Sequence, residues 1–157
     1  MEIDRYDWGA FSCGCGRSAA HLPGALLRLI TARTPGEATL AEIDGHVMIQ
    51  SSLMDPAPAA AAVVLAALAD PAVTTPVART ALLGLLLAFG AGDTVQQEEC
   101  EELIRGGVWI LYRELVTHPS GIAREHAYET LSNLDTERDR LESFLRASRA
   151  QHPSDVD

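Results

Sequence analysis

VVLAALADPAVTTPVARTALLGLL, residues 63–86, decides the fold: two apolar runs stand on either side of a break that carries Pro71 and Pro76. Ala and Leu dominate both runs, and neither loses much rotamer freedom in a helix. The first run predicts a helix over about 57–69, stopped by Asp70-Pro71. The second predicts one over about 76–90, with Thr75 placed to cap it and Pro76 suited to its first turn. Val64, Leu65, Leu68, Leu82, Leu85, Leu86 and Phe89 make this pair apolar nearly all round, as helices covered on both sides should be. The apolar runs at 58–69 and 80–92 are too short to span a bilayer.

The pattern recurs on both sides. LLRLITARTPGEATL and ILYRELVTHPSGIAREHAYETL also read as a helix, a proline turn and a second helix. Arg79-x-x-Leu82-x-x-x-Leu86 and Arg124-x-x-Ala127-x-x-x-Leu131 are the clear copies, and the first repeat is degenerate. Pro35, Pro71 and Pro119 are spaced at 36 and 48 residues, which brackets the period of helical-pair repeats. Breakers place the other helices at about 22–33, 37–50, 94–117, 121–133 and 137–149. The expected architecture is all-α, a short right-handed α-solenoid of about three HEAT-like helical pairs with roughly seven helices. Residues 1–20 are read as irregular, 21–150 as one helical-repeat domain and 151–157 as a disordered tail.

Composition limits the function. The net charge of −10, with 22 acidic and 12 basic residues and no Lys, argues against a nucleic-acid or anionic-membrane partner. It suits a protein partner with a basic surface. The opening MEIDRYDW lacks an export signal, and three cysteines in such a chain imply reduced thiols and a cytoplasmic setting.

Three groups of residues are weighed as sites. In FSCGCGRSAAHLP, residues 11–23, Cys13, Cys15 and His21 supply three of the four N/S ligands that tetrahedral zinc needs, and Cys100 is the fourth to consider. C-x-C is not the usual zinc spacing, so we expect a structural turn made by Gly14 and Gly16, with the thiols packed as small hydrophobes. No cofactor is expected. The alternative is a metal-binding enzyme or sensor built on these four residues. Glu42, His46 and Gln50 recur every four residues, and on a helix over 37–50 they form one polar stripe for a partner. Glu98, Glu99, Glu101 and Glu102 form an acidic cluster near a helix start, where the macrodipole favours them, and are a second candidate partner surface. A catalytic role for these carboxylates is not expected, because nothing apolar surrounds them to raise a pKa. Trp109 and Tyr112 are expected to pack against the last helices.

Trp8 with its Gly/Cys-rich loop, HLPGALLRLITA (21–32), IDGHVMIQ (43–50), VVLAALADP (63–71), GGVWILYREL (106–115) and NLDTERDRL (133–141) resemble a family of small HEAT-repeat proteins common in actinobacteria, over roughly residues 6–145. Relatives usually carry a Gln-Gly pair and an aromatic after the HV segment, whereas here Gln50 is followed by Ser51-Ser52 and Leu53. The resemblance implies a helical-repeat fold and a binding role, without a reaction; some members look like partners of toxins. The expected function is therefore a non-catalytic protein-binding module, most specifically an immunity protein that occludes a basic toxin domain. A regulatory adaptor in a larger complex is the other binding role.

Overall fold

The computed structural model describes residues 1–40, 42–91 and 94–151. Among them are seven α-helices: α1 (Leu22–Ile30), α2 (Ala57–Ala69), α3 (Pro76–Gly90), α4 (Val95–Gly106), α5 (Val108–Thr117), α6 (Gly121–Asn133) and α7 (Arg138–Gln151). A small antiparallel hairpin, β1 (Met48–Ile49) and β2 (Ser52–Leu53), sits between α1 and α2, with Met48 opposite Leu53. Among the described residues the fold is all-α apart from that hairpin, and no helix is long and apolar enough to cross a membrane.

The quoted stretch is the centre of the molecule. α2 is buried over most of its surface, with Ala59, Ala60, Ala61, Val63, Val64, Leu65, Ala67 and Leu68 all in the core and a narrow face at Ala62, Ala66 and Ala69 left partly open. It packs against α1, α3, α4 and α5, while α6 covers α3 and α5. Each fully buried Val or Leu there contributes about 1.5–3 kcal/mol relative to exposure. Thr75 caps α3 as its position implies: Oγ1 accepts the Ala78 N–H at 3.1 Å and donates to the Ala32 carbonyl at 2.6 Å. That second bond ties the start of α3 to the segment after α1.

The repeated arginines also have a structural explanation. Carbonyls at a helix C-terminus lack intrahelical donors and must find others. Arg79 and Arg113 both donate to the Leu68 carbonyl at the end of α2, and Arg124 donates to the His118 carbonyl at the end of α5. Arg79 also forms a buried ion pair with Glu114, which Arg113 joins at 3.1 Å. Burial alone would raise the Glu114 carboxyl; the hydrogen bond and charge of Arg79, then those of Arg113, outweigh it and hold the group below its ordinary value.

Several helix boundaries differ from expectation. The helix expected over 37–50 is not formed: the described residues 37–40 and 42–50 are a run of bends and turns ending in the hairpin, with left-handed backbone at Gly45 (φ 74°) and Gln50 (φ 57°). The Asp44-Gly45 pair is turn chemistry, and it outweighs the apolar spacing around it. The segment 94–117 breaks into α4 and α5 at Gly106-Gly107. A Cβ on Gly107 would stand 2.8 Å from Leu65 Cδ2, so the turn lies directly on α2 and any larger residue there would have to displace the Leu65 side chain. The first helix ends at Ile30 rather than near residue 33. Tyr112 meets the last helix as expected, its ring 4.9 Å from Phe144. Trp109 does not; it is 53% exposed, with the Arg113 guanidinium 5.6 Å from its ring. Of the expected tail 151–157, Gln151 is the last residue of α7 and the rest lies outside the described residues.

Candidate metal centre

Two loops meet at the N-terminal end of the molecule. The first is a tight hairpin over 11–19: Cys13 N–H donates to the Arg17 carbonyl at 2.8 Å, Gly16 N–H to the Cys13 carbonyl at 2.9 Å, and Ala19 N–H to the Phe11 carbonyl at 3.0 Å. Gly16 has φ 77°, a conformation that costs glycine no steric strain. The buried Trp8, its indole donating to the Ile3 carbonyl at 2.8 Å, packs edge-on against Phe11 and so fixes the base of this loop. The second loop is the turn at 43–47, where Gly45 N–H donates to the Met48 carbonyl and His46 N–H to the Ile43 carbonyl, both at 3.0 Å. Buried Ile43, Val47 and Leu53 anchor it to the core.

The loops are stitched together by the Gly14 N–H, which donates to the His46 carbonyl at 3.0 Å. The approach is close: a Cβ on Gly14 would lie 2.4 Å from the Gly45 carbonyl oxygen. Gly14 is therefore required by the neighbouring loop as well as by its own turn.

This meeting brings Cys13, Cys15, His21 and His46 together, with one ligand atom from each within 4.8 Å of all the others. Cys13 Sγ is 3.3 Å from Cys15 Sγ, 3.1 Å from His46 Nδ1 and 3.8 Å from His21 Nε2. His21 Nε2 is 3.1 Å from His46 Nδ1. A tetrahedral zinc with bonds of about 2.3 Å to sulfur and 2.0–2.1 Å to nitrogen has ligand–ligand edges of roughly 3.3–3.8 Å. These four separations lie close to that range, and the remaining two are within 4.8 Å. The tautomer is also prepared. His21 Nδ1 faces the Ser18 carbonyl at 3.2 Å, and only a protonated nitrogen can donate to it, so Nε2 keeps its lone pair.

The two thiols differ. Cys13 is buried and burial raises its pKa, whereas Cys15 is exposed and lowered to about 6, first by the backbone N–H of Arg17 and then by the Cys13 thiol. A thiol this acidic is ready to bind metal as thiolate. It does not pack as a small hydrophobe, contrary to expectation. Cys100 does not join this cluster. It is buried in α4, its thiol pushed up to about 12 by burial, and stands outside the cluster. His46 is the fourth member of the cluster.

The other candidates are dispersed. Without a helix over 37–50, Glu42, His46 and Gln50 share no stripe: Glu42 accepts from Arg28 Nε at 2.8 Å, His46 joins the cluster, and Gln50 occupies the hairpin turn. On α4, Glu98, Glu99 and Glu102 are exposed, and Glu101 accepts from Gln97 Nε2 at 2.7 Å. One signal in the sequence points to His46: Asp44-Gly45 marks a turn, and a histidine beside a turn is free of a helical face. No family model, curated protein or solved structure matches the chain.

Proposed function

We propose that this chain is a zinc-binding helical protein in which Cys13, Cys15, His21 and His46 hold one ion that clamps the N-terminal loop to the turn at 43–47. The observation that carries the reading is the convergence of two thiols and two imidazoles from separate segments at tetrahedral spacing. Two sulfurs and two nitrogens are the donor set that zinc prefers over harder cations. Four protein ligands close the coordination sphere, which is the structural arrangement; catalytic zinc keeps one position open for water. The ion's role is thus mechanical and the protein non-catalytic. Elemental analysis after purification under reducing conditions without chelator tests this: one zinc per chain is expected in the wild type and little in His46→Ala. A metal-free wild type, or a full equivalent retained by His46→Ala, sinks the reading.

A second role, binding a protein with a basic surface, is favoured by the exposed Glu98, Glu99 and Glu102 along α4. The arginines that hold the ends of α2 and α5 support the helical-repeat arrangement, and the toxin-immunity and adaptor roles are two forms of this binding. Charge reversal of the three glutamates should then slow association, and salt should do the same, because exposed charges are screened over about 8–10 Å. Unchanged kinetics against a co-purifying protein would place recognition elsewhere.

A further inference from the structure

We propose that the Cys13–Cys15 pair is a redox release for the clamp: peroxide joins the two sulfurs as an intramolecular disulfide and the ion is expelled. The inference rests on the zinc reading above and adds its regulation.

Three features point to it. The sulfurs are already 3.3 Å apart, against about 2.05 Å in a disulfide, so a small movement joins them. The movement falls on a loop with Gly14 between the cysteines and Gly16 just after them, the residues that tolerate backbone change best. Cys15 is exposed and meets the oxidant, while Cys13 is buried behind it and resolves the product; the remaining thiol, Cys100, is shut inside α4.

The chemistry balances. The Cys15 thiolate attacks one peroxide oxygen, the O–O bond breaks, hydroxide leaves, and a sulfenic acid forms. The Cys13 thiolate then attacks the Cys15 sulfur, the S–O bond breaks, a second hydroxide leaves, and the S–S bond forms. Two electrons pass from the sulfur pair to the peroxide. Because disulfide sulfur is no longer a thiolate ligand, the ion keeps only His21 and His46 and dissociates.

The structural consequence is local. The direct backbone hydrogen bond between the loops, Gly14 N–H to the His46 carbonyl, is left to hold them together. Ile43, Val47 and Leu53 stay in the core, so the helices persist while the 11–21 loop loosens.

The test titrates the zinc-loaded full chain with hydrogen peroxide, following free zinc with a chromogenic chelator and thiol state by peptide mass spectrometry. One zinc released for each Cys13–Cys15 disulfide is expected, with re-uptake after dithiothreitol and the same behaviour in Cys100→Ser. Zinc retained while the thiols oxidise overturns the proposal, as does sulfinic acid as the main product, or a disulfide involving Cys100 or a second chain. The two readings fail differently: a reduced chain without zinc defeats the metal assignment itself, whereas stoichiometric zinc that survives oxidation defeats only the switch.

Discussion

His46 Nδ1 stands 3.1 Å from Cys13 Sγ although 33 residues of chain separate them. What makes this approach possible is the pair of glycines behind it, Gly14 and Gly45, whose backbones touch closely enough to exclude any Cβ on Gly14.

Gly14→Ala should therefore weaken zinc binding without removing a ligand. The loops must part to admit the methyl, and groups that orient metal ligands typically matter by about 10–100-fold in affinity. Competition against a chromogenic chelator measures it. Wild-type affinity in this variant would mean that the two loops are not held in register at Gly14.

Cys15 should be the most reactive thiol of the metal-free chain. The thiolate is the nucleophile, so alkylation speeds up as pH rises and levels off above about 6, the value to which the Arg17 N–H and the Cys13 thiol lower it. Iodoacetamide labelling read by mass spectrometry should show zinc protecting Cys15, and Cys100 unmodified in the folded protein. Half-maximal labelling near the ordinary thiol value would contradict the loop geometry.

Glu114→Ala should destabilise the fold by about 3–5 kcal/mol, because it leaves Arg79 buried without its partner. A related pH effect follows with the metal removed. Glu114 has a folded pKa below its ordinary 4.5, so its contribution is present above that value and is lost as pH falls through the folded value. His118, which burial keeps below its ordinary 6.5, gains its proton more readily when unfolded, so stability begins to fall below about pH 6.5. Urea melts across this range should show both declines, the lower one absent in Glu114→Ala.

Leu85→Ala should cost about 2–5 kcal/mol through lost burial and a cavity, since Leu85 is 3% exposed in the middle of α3. Thermal or urea unfolding reads it directly. An unchanged midpoint would be incompatible with this packing.

The helices were legible wherever propensity, capping and burial agreed. α2, α3 and α6 lie where the Ala/Leu runs, Thr75-Pro76 and the break at Pro119 place them, because a local cap, a local breaker and a local apolar run act within a few residues. The stretch 37–50 departs from the expected helix because its apolar spacing suits a helix, while Asp44-Gly45 prescribes a turn that wins once Ile43 and Val47 have a core to enter. Trp109 was misplaced for a similar reason: helical spacing fixes which residues share a face, and only the packed neighbours decide which face is covered.

The sequence by itself determined the all-α class and the central apolar pair, and it named Cys13, Cys15 and His21, three of the four clustered residues, as an alternative to a purely structural turn, since each rests on chemistry within one short stretch. Tertiary structure alone decided the fourth. Choosing between Cys100 and His46 depends on which distant segment returns to the CGCG loop, and that is set by burial of Ile43, Val47 and Leu53 on one side and of Cys100 within α4 on the other. Spacing along the chain carries no information about that return, because the burial free energy that brings His46 to Cys13 belongs to the packed core and to no single segment.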